Sequence, residues 1–220
     1  SLTPIDPSTA KPSNAIKVPD AYNLYFTPDG ASAIVVAEGL KRLEFRDPHT
    51  MALQSMLSVP ECQGINHADF SIDGRYVMIG RQDGKNLFLL RSDSLDTWDD
   101  EGVFLMGPKY PWEFIQIGNC GSPIKTDAGW LVLTHGVGAM RKYALGCALL
   151  DLHDPSKVLA RTREPLLTAE DADRSGYVPN VIYTCGALKV GDALLIPYGI
   201  SDSAVGFAST SVKELLAMMD

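Results

Sequence analysis

The chain has 220 residues, 45% of them hydrophobic, with 19 basic against 27 acidic side chains and a formal net charge of −8. Length and apolar content suit one domain with a sizeable core, and the acidic balance disfavours a nucleic-acid partner, which selects a basic face. No run of about 18 apolar residues is present to span a bilayer, and SLTPIDPSTAKPSN at the start lacks a basic-then-apolar leader.

In chain order, residues 1–13 are polar and Pro-rich and read as an arm. A short candidate strand follows at 14–18. Four hairpin signals come next: FTPDGASAIVV (26–36), FSIDGRYVMIG (70–80), IKTDAGWLVLT (124–134) and LKVGDALLIPY (188–198). Each is an apolar stretch, a polar turn with Asp and Gly, and a second apolar stretch, and Asp-Gly supplies the positive φ angles of hairpin turns. A third strand follows each hairpin at 42–46, 86–90, 144–148 and 204–208. A fourth follows the first three at 54–58, 101–105 and 163–167. Four antiparallel strands recurring at such spacing are the blades of a β-propeller. The last unit runs instead into SVKELLAMM (211–219), which reads as a short helix or a strand end. The spare strand at 14–18 is therefore expected to fill the vacant fourth place and close the ring, since closure removes open sheet edges. The reading is an all-β propeller of four blade-equivalents in one domain, 1–220; an eight-bladed ring made by two chains is the alternative.

Cys62, Cys120, Cys147 and Cys185 are widely spaced and show no C-x-x-C, so buried reduced thiols in a cytoplasmic protein are expected. His49, His67, His135 and His153 show no metal-ligand spacing. No metal or cofactor is expected.

Two resemblances divide the chain. GNCGSP (118–123), GWL (129–131), THGV (134–137), LLD with DPSKV (149–158), GYVPNV (176–181) and YG with Asp202 (198–202), in that order, resemble glycoside hydrolase family 130. The likeness runs from about residue 80 to the C-terminus. It implies a five-bladed β-propeller acting on β-mannosides as phosphorylase or mannosidase. Residues 19–79, with F-[ST]-x-D-G turns at Phe26 and Phe70 and DPHTM after the first unit's third strand, resemble YVTN-type propeller repeats. The two meet near Gly80, inside one blade, which suggests a chimera of natural or laboratory origin.

The family-130 likeness also implies a site. By motif, Arg81, His135 and Tyr143 match the phosphate-side residues of a central funnel, and Asp202 matches the acid that hydrogen-bonds a mannosyl unit. Arg141 lies close in sequence and adds positive charge. An Arg fork and a His suit a phosphate dianion through charge-assisted, directional donors. Each has a plainer reading: Arg81 as a surface charge beside a turn, His135 as a strand-end hydrogen-bonder, Asp202 as a turn cap. Trp112 and Trp130 read as packing residues.

The family's proton donor sits in an E-D-P-R type motif that this chain lacks, and glycoside cleavage needs such an acid at the scissile oxygen. From this, no catalytic residue is assigned. The expectation is a catalytically silent scaffold, monomeric or homodimeric, with a residual phosphate or mannoside site. Glycoside hydrolase family 130 phosphorylase or mannosidase activity is the alternative. Should turnover be found, Asp47 and Asp69 are the first carboxyls to substitute.

Overall fold

The computed structural model describes residues 1–6, 8–27, 29–61, 76–80, 83–92, 101–169 and 176–220, and for 76–80 only the path of a strand is used. The described chain is almost entirely antiparallel β. It forms four sheets in sequence order. The first is β1 (Asn23–Phe26), β2 (Ala33–Ala37), β3 (Arg42–Arg46) and β4 (Leu53–Ser58), paired in that order. The second is β5 (Tyr76–Gly80), β6 (Leu87–Ser92) and β7 (Val103–Met106).

The third sheet is centred on β10 (Trp130–Val137) and β11 (Tyr143–Leu150). β8 (Gln116–Asn119) and β9 (Ile124–Lys125) both pair with β10, and β12 (Val158–Arg161) and β13 (Leu167–Thr168) both pair with β11. Each outer strand is thus one strand interrupted. The expected fourth strand at 163–167 is instead split around residues 162–166, where the Thr162 hydroxyl accepts from Cys147 N–H in place of a backbone partner. In the fourth sheet β14 (Ile182–Tyr183) and β15 (Leu188–Val190) line one side of β16 (Ala193–Ile200) and β17 (Ala204–Ser211) lies on the other. Helix α1 (Val212–Ala217) follows, capped at Ser211, whose side chain accepts from Glu214 N–H.

Period-two alternation lets the third sheet bury both faces. One face presents Leu131, Leu133, Leu145, Cys147 and Leu149 to Ile182, Leu194, Ile196 and Leu215 of the fourth sheet and its helix. The other presents Val132, Ala148 and Leu150 to Leu87, Leu89 and Leu105 of the second. Trp112 covers the same side: a Cβ at Gly136 or Gly146 would lie 2.5 or 2.4 Å from its ring, so only glycine fits beneath it. Its indole Nε1 donates to Arg163 O, while that of Trp130 donates to Leu152 O, so both indoles are packing residues. Next to Trp112, Glu113 is 1% exposed and ion-pairs with Arg161 at 2.6 Å. A second buried carboxylate, Glu44 on β3, lies between Arg42 and Arg46 at 2.5 and 2.6 Å. Burial alone would raise its pKa, but the two guanidinium partners hold it below the usual range.

The expected closure is not found. Residues 14–18 do not pair with β17. Ile16 bridges Leu2, and Val18, 2% exposed, packs with Leu2 and Ile16 against Ala33 and Val35 of β2. The arm folds back because that face of the first sheet is apolar and adjacent in sequence. The chain's last residue finds a different partner: Asp220 exchanges backbone hydrogen bonds with Arg161, and Met219 bridges Thr162. No closed sheet is formed among the described residues. The outward face of the fourth sheet leaves Leu188, Val190, Val205 and Phe207 largely exposed.

Removing residues 1–18 is accordingly expected to destabilise the first sheet by loss of burial. Uncovering Val18, Leu2, Ile16 and the β2 face costs about 2–3 kcal/mol, which for a chain of this size lowers Tm by roughly 5–10 °C. An unchanged Tm in calorimetry would show that the arm contributes nothing to the fold.

Candidate functional site

His135 lies near the end of β10, and the register sets it opposite Gly118 of β8 and Leu145 of β11. A Cβ at Gly118 would fall 2.2 Å from the imidazole Cε1, so the ring fills the space a side chain there would need. Tyr143 opens β11 on the same face, two positions along. Its ring stacks on the imidazole with centroids 5.8 Å apart and planes 19° apart. Tyr183 of β14 approaches from the fourth sheet, 5.0 Å away and tilted by 59°. Cys120 Sγ is 3.4 Å from Nδ1. His135 is only 5% exposed.

The two sheets are stitched together at this point. Tyr143 bridges Val181 in parallel, its N–H donates to Asn180 O, and Ser201 N–H donates to Val181 O. This brings two turns to the same end. The β10–β11 turn carries Arg141, exposed, with Met140 and Arg141 both left-handed at φ 56° and 54°. The turn after β16 carries Asp202, also exposed and left-handed at φ 51°. Ser203 closes that turn by donating to Ile200 O through both its N–H and hydroxyl.

Of the five residues singled out from sequence, His135 and Tyr143 touch, Arg141 lies two residues before Tyr143, and Asp202 sits on the neighbouring turn. Arg81 lies outside the described residues. What the end offers chemically is a buried, aromatic-walled imidazole, with one exposed cation and one exposed anion on the two turns nearby. Tyr183 was missed because it reaches His135 across a sheet-to-sheet contact, and Cys120 because it reaches His135 from the neighbouring strand of the same sheet, where its N–H donates to Leu133 O. Asp47 accepts from His49 N–H, Thr50 N–H and the Thr50 hydroxyl, and these bonds hold its carboxyl below the ordinary range; it is a turn cap. Asp69 lies outside the described residues. Among them, no cluster of three His, Cys, Asp or Glu side chains is placed to hold a metal ion.

The thiols depart in part from expectation. Cys120 and Cys147 are buried, and burial pushes both far above the usual thiol range, but Cys185 is exposed. Iodoacetamide is expected to label Cys185 in the folded protein and to reach Cys120 and Cys147 only on unfolding, because the thiolate is the reactive form. Early labelling of Cys120, mapped by mass spectrometry, would contradict the packing around His135.

Comparison with known proteins bears on what this end does. The family model of glycoside hydrolase family 130, described as beta-1,4-mannooligosaccharide phosphorylase, matches residues 62–220. A 1,2-beta-oligomannan phosphorylase of Thermoanaerobacter sp. (strain X514) is 38% identical over 145 residues, 66% of this chain and 49% of that protein. A beta-1,2-mannobiose phosphorylase of the same organism is 50% identical over 105 residues, 47% of this chain and 35% of that protein. The solved beta-1,2-mannobiose phosphorylase from Listeria innocua, in complex with beta-1,2-mannobiose, superposes with a TM-score of 0.67 at 27% identity. It covers 86% of this chain and 57% of that one. The chain thus spans about half the length of the curated relatives it matches.

Two expectations fall to these matches. The change of ancestry near Gly80 is not supported: the family match begins at residue 62, ahead of that point. A beta-1,2-mannobiose phosphorylase sequence from Listeria innocua also aligns over 93% of the chain at 29% identity. The catalytically silent scaffold is likewise overturned, by 29–50% identity to phosphorylases acting on mannosides.

Proposed function

The chain belongs to glycoside hydrolase family 130, and from that premise we propose that it is a β-mannoside phosphorylase whose reaction centres on the end of the third and fourth sheets. The observation that carries the reading is its identity with relatives named for β-1,2-mannosides. β-1,2-linked mannosides are accordingly its substrate class. In the reaction a phosphate oxygen bonds to the anomeric carbon, the glycosidic C–O bond breaks, and the leaving oxygen takes up a proton. Mannose 1-phosphate and a shortened mannoside result.

In this reading Arg81, Arg141, His135 and Tyr143 receive the phosphate, and Asp202 hydrogen-bonds a mannosyl hydroxyl. Guanidinium and imidazole donors around an aromatic wall suit a dianion, and they work best where water is excluded. The four sheets act as blades of one propeller domain over residues 1–220. Of the two carboxyls first considered as proton donor, Asp47 is committed to its own turn, and Asp69 is the one to substitute first.

The test is turnover of β-1,2-mannobiose and β-1,4-mannobiose by the full chain with and without inorganic phosphate. Phosphate-dependent cleavage of the 1,2-linked sugar supports the reading. Cleavage that is equally fast without phosphate would make the protein a mannosidase. Gly118→Ala probes the geometry, since the added methyl must displace the buried imidazole. Misplacement by about 1 Å costs on the order of 10²-fold in rate, and kcat/KM is expected to fall by about that factor. A variant with wild-type kcat/KM would remove His135 from the reaction.

A further inference from the structure

Tyr177 is 89% exposed, yet the backbone that carries it is tied down on both sides. Gly176 lies so close to the turn after β16 that a Cβ there would fall 2.3 Å from Ser201 O. Val178 N–H donates to the same oxygen. Further on, Asn180, left-handed at φ 66°, accepts through its carbonyl from Tyr143 N–H, and Val181 O accepts from Ser201 N–H. Pro179 has its φ fixed by its own ring. Residues 176–181 therefore form a strap pinned to β11 and to the Asp202 turn, and the strap holds an aromatic ring out in solvent. Exposing that ring forgoes the burial an aromatic side chain normally gains. The pinned backbone in turn lowers the ordering cost when a ligand docks.

The same anchors set what lies beside the strap. Asp202 follows Ser201, to which Gly176 and Val178 are tied, so an exposed carboxylate and an exposed aromatic ring stand on adjoining backbone segments. A pyranose is amphipathic in a matching way: its hydroxyls donate to a carboxylate, and its C–H face covers an aromatic ring. His135, 5% exposed and packed by Tyr143 and Tyr183, lies deeper in the same end. A sugar resting on Tyr177 is thus not the one that reacts. We propose that Tyr177 is a stacking platform for a mannosyl unit distal to the cleaved bond, so that the chain favours β-1,2-mannosides longer than the disaccharide. The identity of the sugar rests on the functional reading above.

The experiment compares kcat/KM for β-1,2-mannotriose and β-1,2-mannobiose in the full chain at saturating inorganic phosphate. The parent is expected to favour the triose by about tenfold, the effect of burying one sugar face on one ring. Tyr177→Ala brings the ratio close to one, and Tyr177→Phe, which keeps the ring, retains it. Phe207→Ala removes another exposed aromatic, 70% exposed on the outward face of the fourth sheet, and also retains the ratio. In parallel, both sugars are titrated calorimetrically into each protein without phosphate, and the ratio of Kd values is expected to follow the same pattern. A parent that treats the two sugars alike, or a Tyr177→Ala variant with the parent's ratio, overturns the platform and leaves the phosphorylase reading in place. A protein that turns over neither sugar, yet binds the triose more tightly in a Tyr177-dependent way, supports the platform and removes the phosphorylase reading instead. Binding of neither sugar overturns both.

Discussion

Glu113→Ala is expected to lower Tm by roughly 10 °C, one of the two largest effects of a single substitution anticipated in this chain. Both oxygens of this carboxylate are committed. Oε1 accepts from Arg161 Nη2 at 2.6 Å, and Oε2 accepts from the N–H groups of Lys109 and Tyr110. The Arg161 side chain is itself only 11% exposed and also donates to Gly107 O. Truncating Glu113 therefore strands a buried guanidinium and two backbone donors. Breaking a buried pair from one side costs about 3–5 kcal/mol, and a chain of this size loses about 2–4 °C per kcal/mol. Glu113→Gln, which keeps the acceptor for the backbone, should fall between. Paired replacement by Glu113→Leu and Arg161→Met should recover only the part due to the guanidinium, since the N–H groups of Lys109 and Tyr110 still lose their acceptor. If thermal unfolding of Glu113→Ala matches the parent within 2 °C, as an order-of-magnitude tolerance, the buried pair is not formed.

His135→Ala is expected to lower activity through its use of phosphate. If the imidazole donates to phosphate, its removal deletes one charge-assisted hydrogen bond, worth roughly 1.5–3 kcal/mol, or about 10- to 100-fold in kcat/KM for phosphate. If Asp202 on the neighbouring turn binds the mannosyl unit as proposed, the loss should be read in phosphate dependence more than in mannoside binding. His135→Gln, with an amide donor of similar reach, should recover part of it. Steady-state kinetics that vary phosphate at saturating mannoside decide the matter. Equal losses for both substrates would point to collapse of the Tyr143–His135–Tyr183 stack.

Much of the fold is legible in the sequence because hairpin turns and period-two alternation are local. Arg42–Arg46 falls where the alternating RLEFR stretch places it, and the Asp29-Gly30 turn uses Gly30 at φ 68°. The helix after β17 announces itself by Ser211 three residues ahead of Glu214, a capping box. Closure was not legible. Whether residues 14–18 join the far sheet or fold onto the near one depends on which apolar face is uncovered, and Val18 settles on β2. The split of the outer strands around residues 120–123 and 162–166 was hidden for the same reason, since side chains such as Thr162 replace backbone partners there.

The site divides along the same line. His135 and Tyr143 are visible because a strand-end motif carries them and a single sheet register brings them together. Cys120 looked like an inert buried thiol, and Tyr183 like one more alternating aromatic. Tyr183 meets His135 only because the third and fourth sheets pack face to face, and Cys120 meets it from the neighbouring strand of the third sheet. The Glu113–Arg161 pair spans 48 residues and leaves no periodic trace.

The most direct test of the family-130 phosphorylase account is phosphorus NMR of the full chain incubated with β-1,2-mannobiose and inorganic phosphate. The account predicts that the phosphate signal decays as an α- or β-mannose 1-phosphate resonance grows, in step with free mannose and dependent on His135. Mannose released with no sugar phosphate formed, or no consumption of either substrate by a protein that unfolds cooperatively, would contradict it.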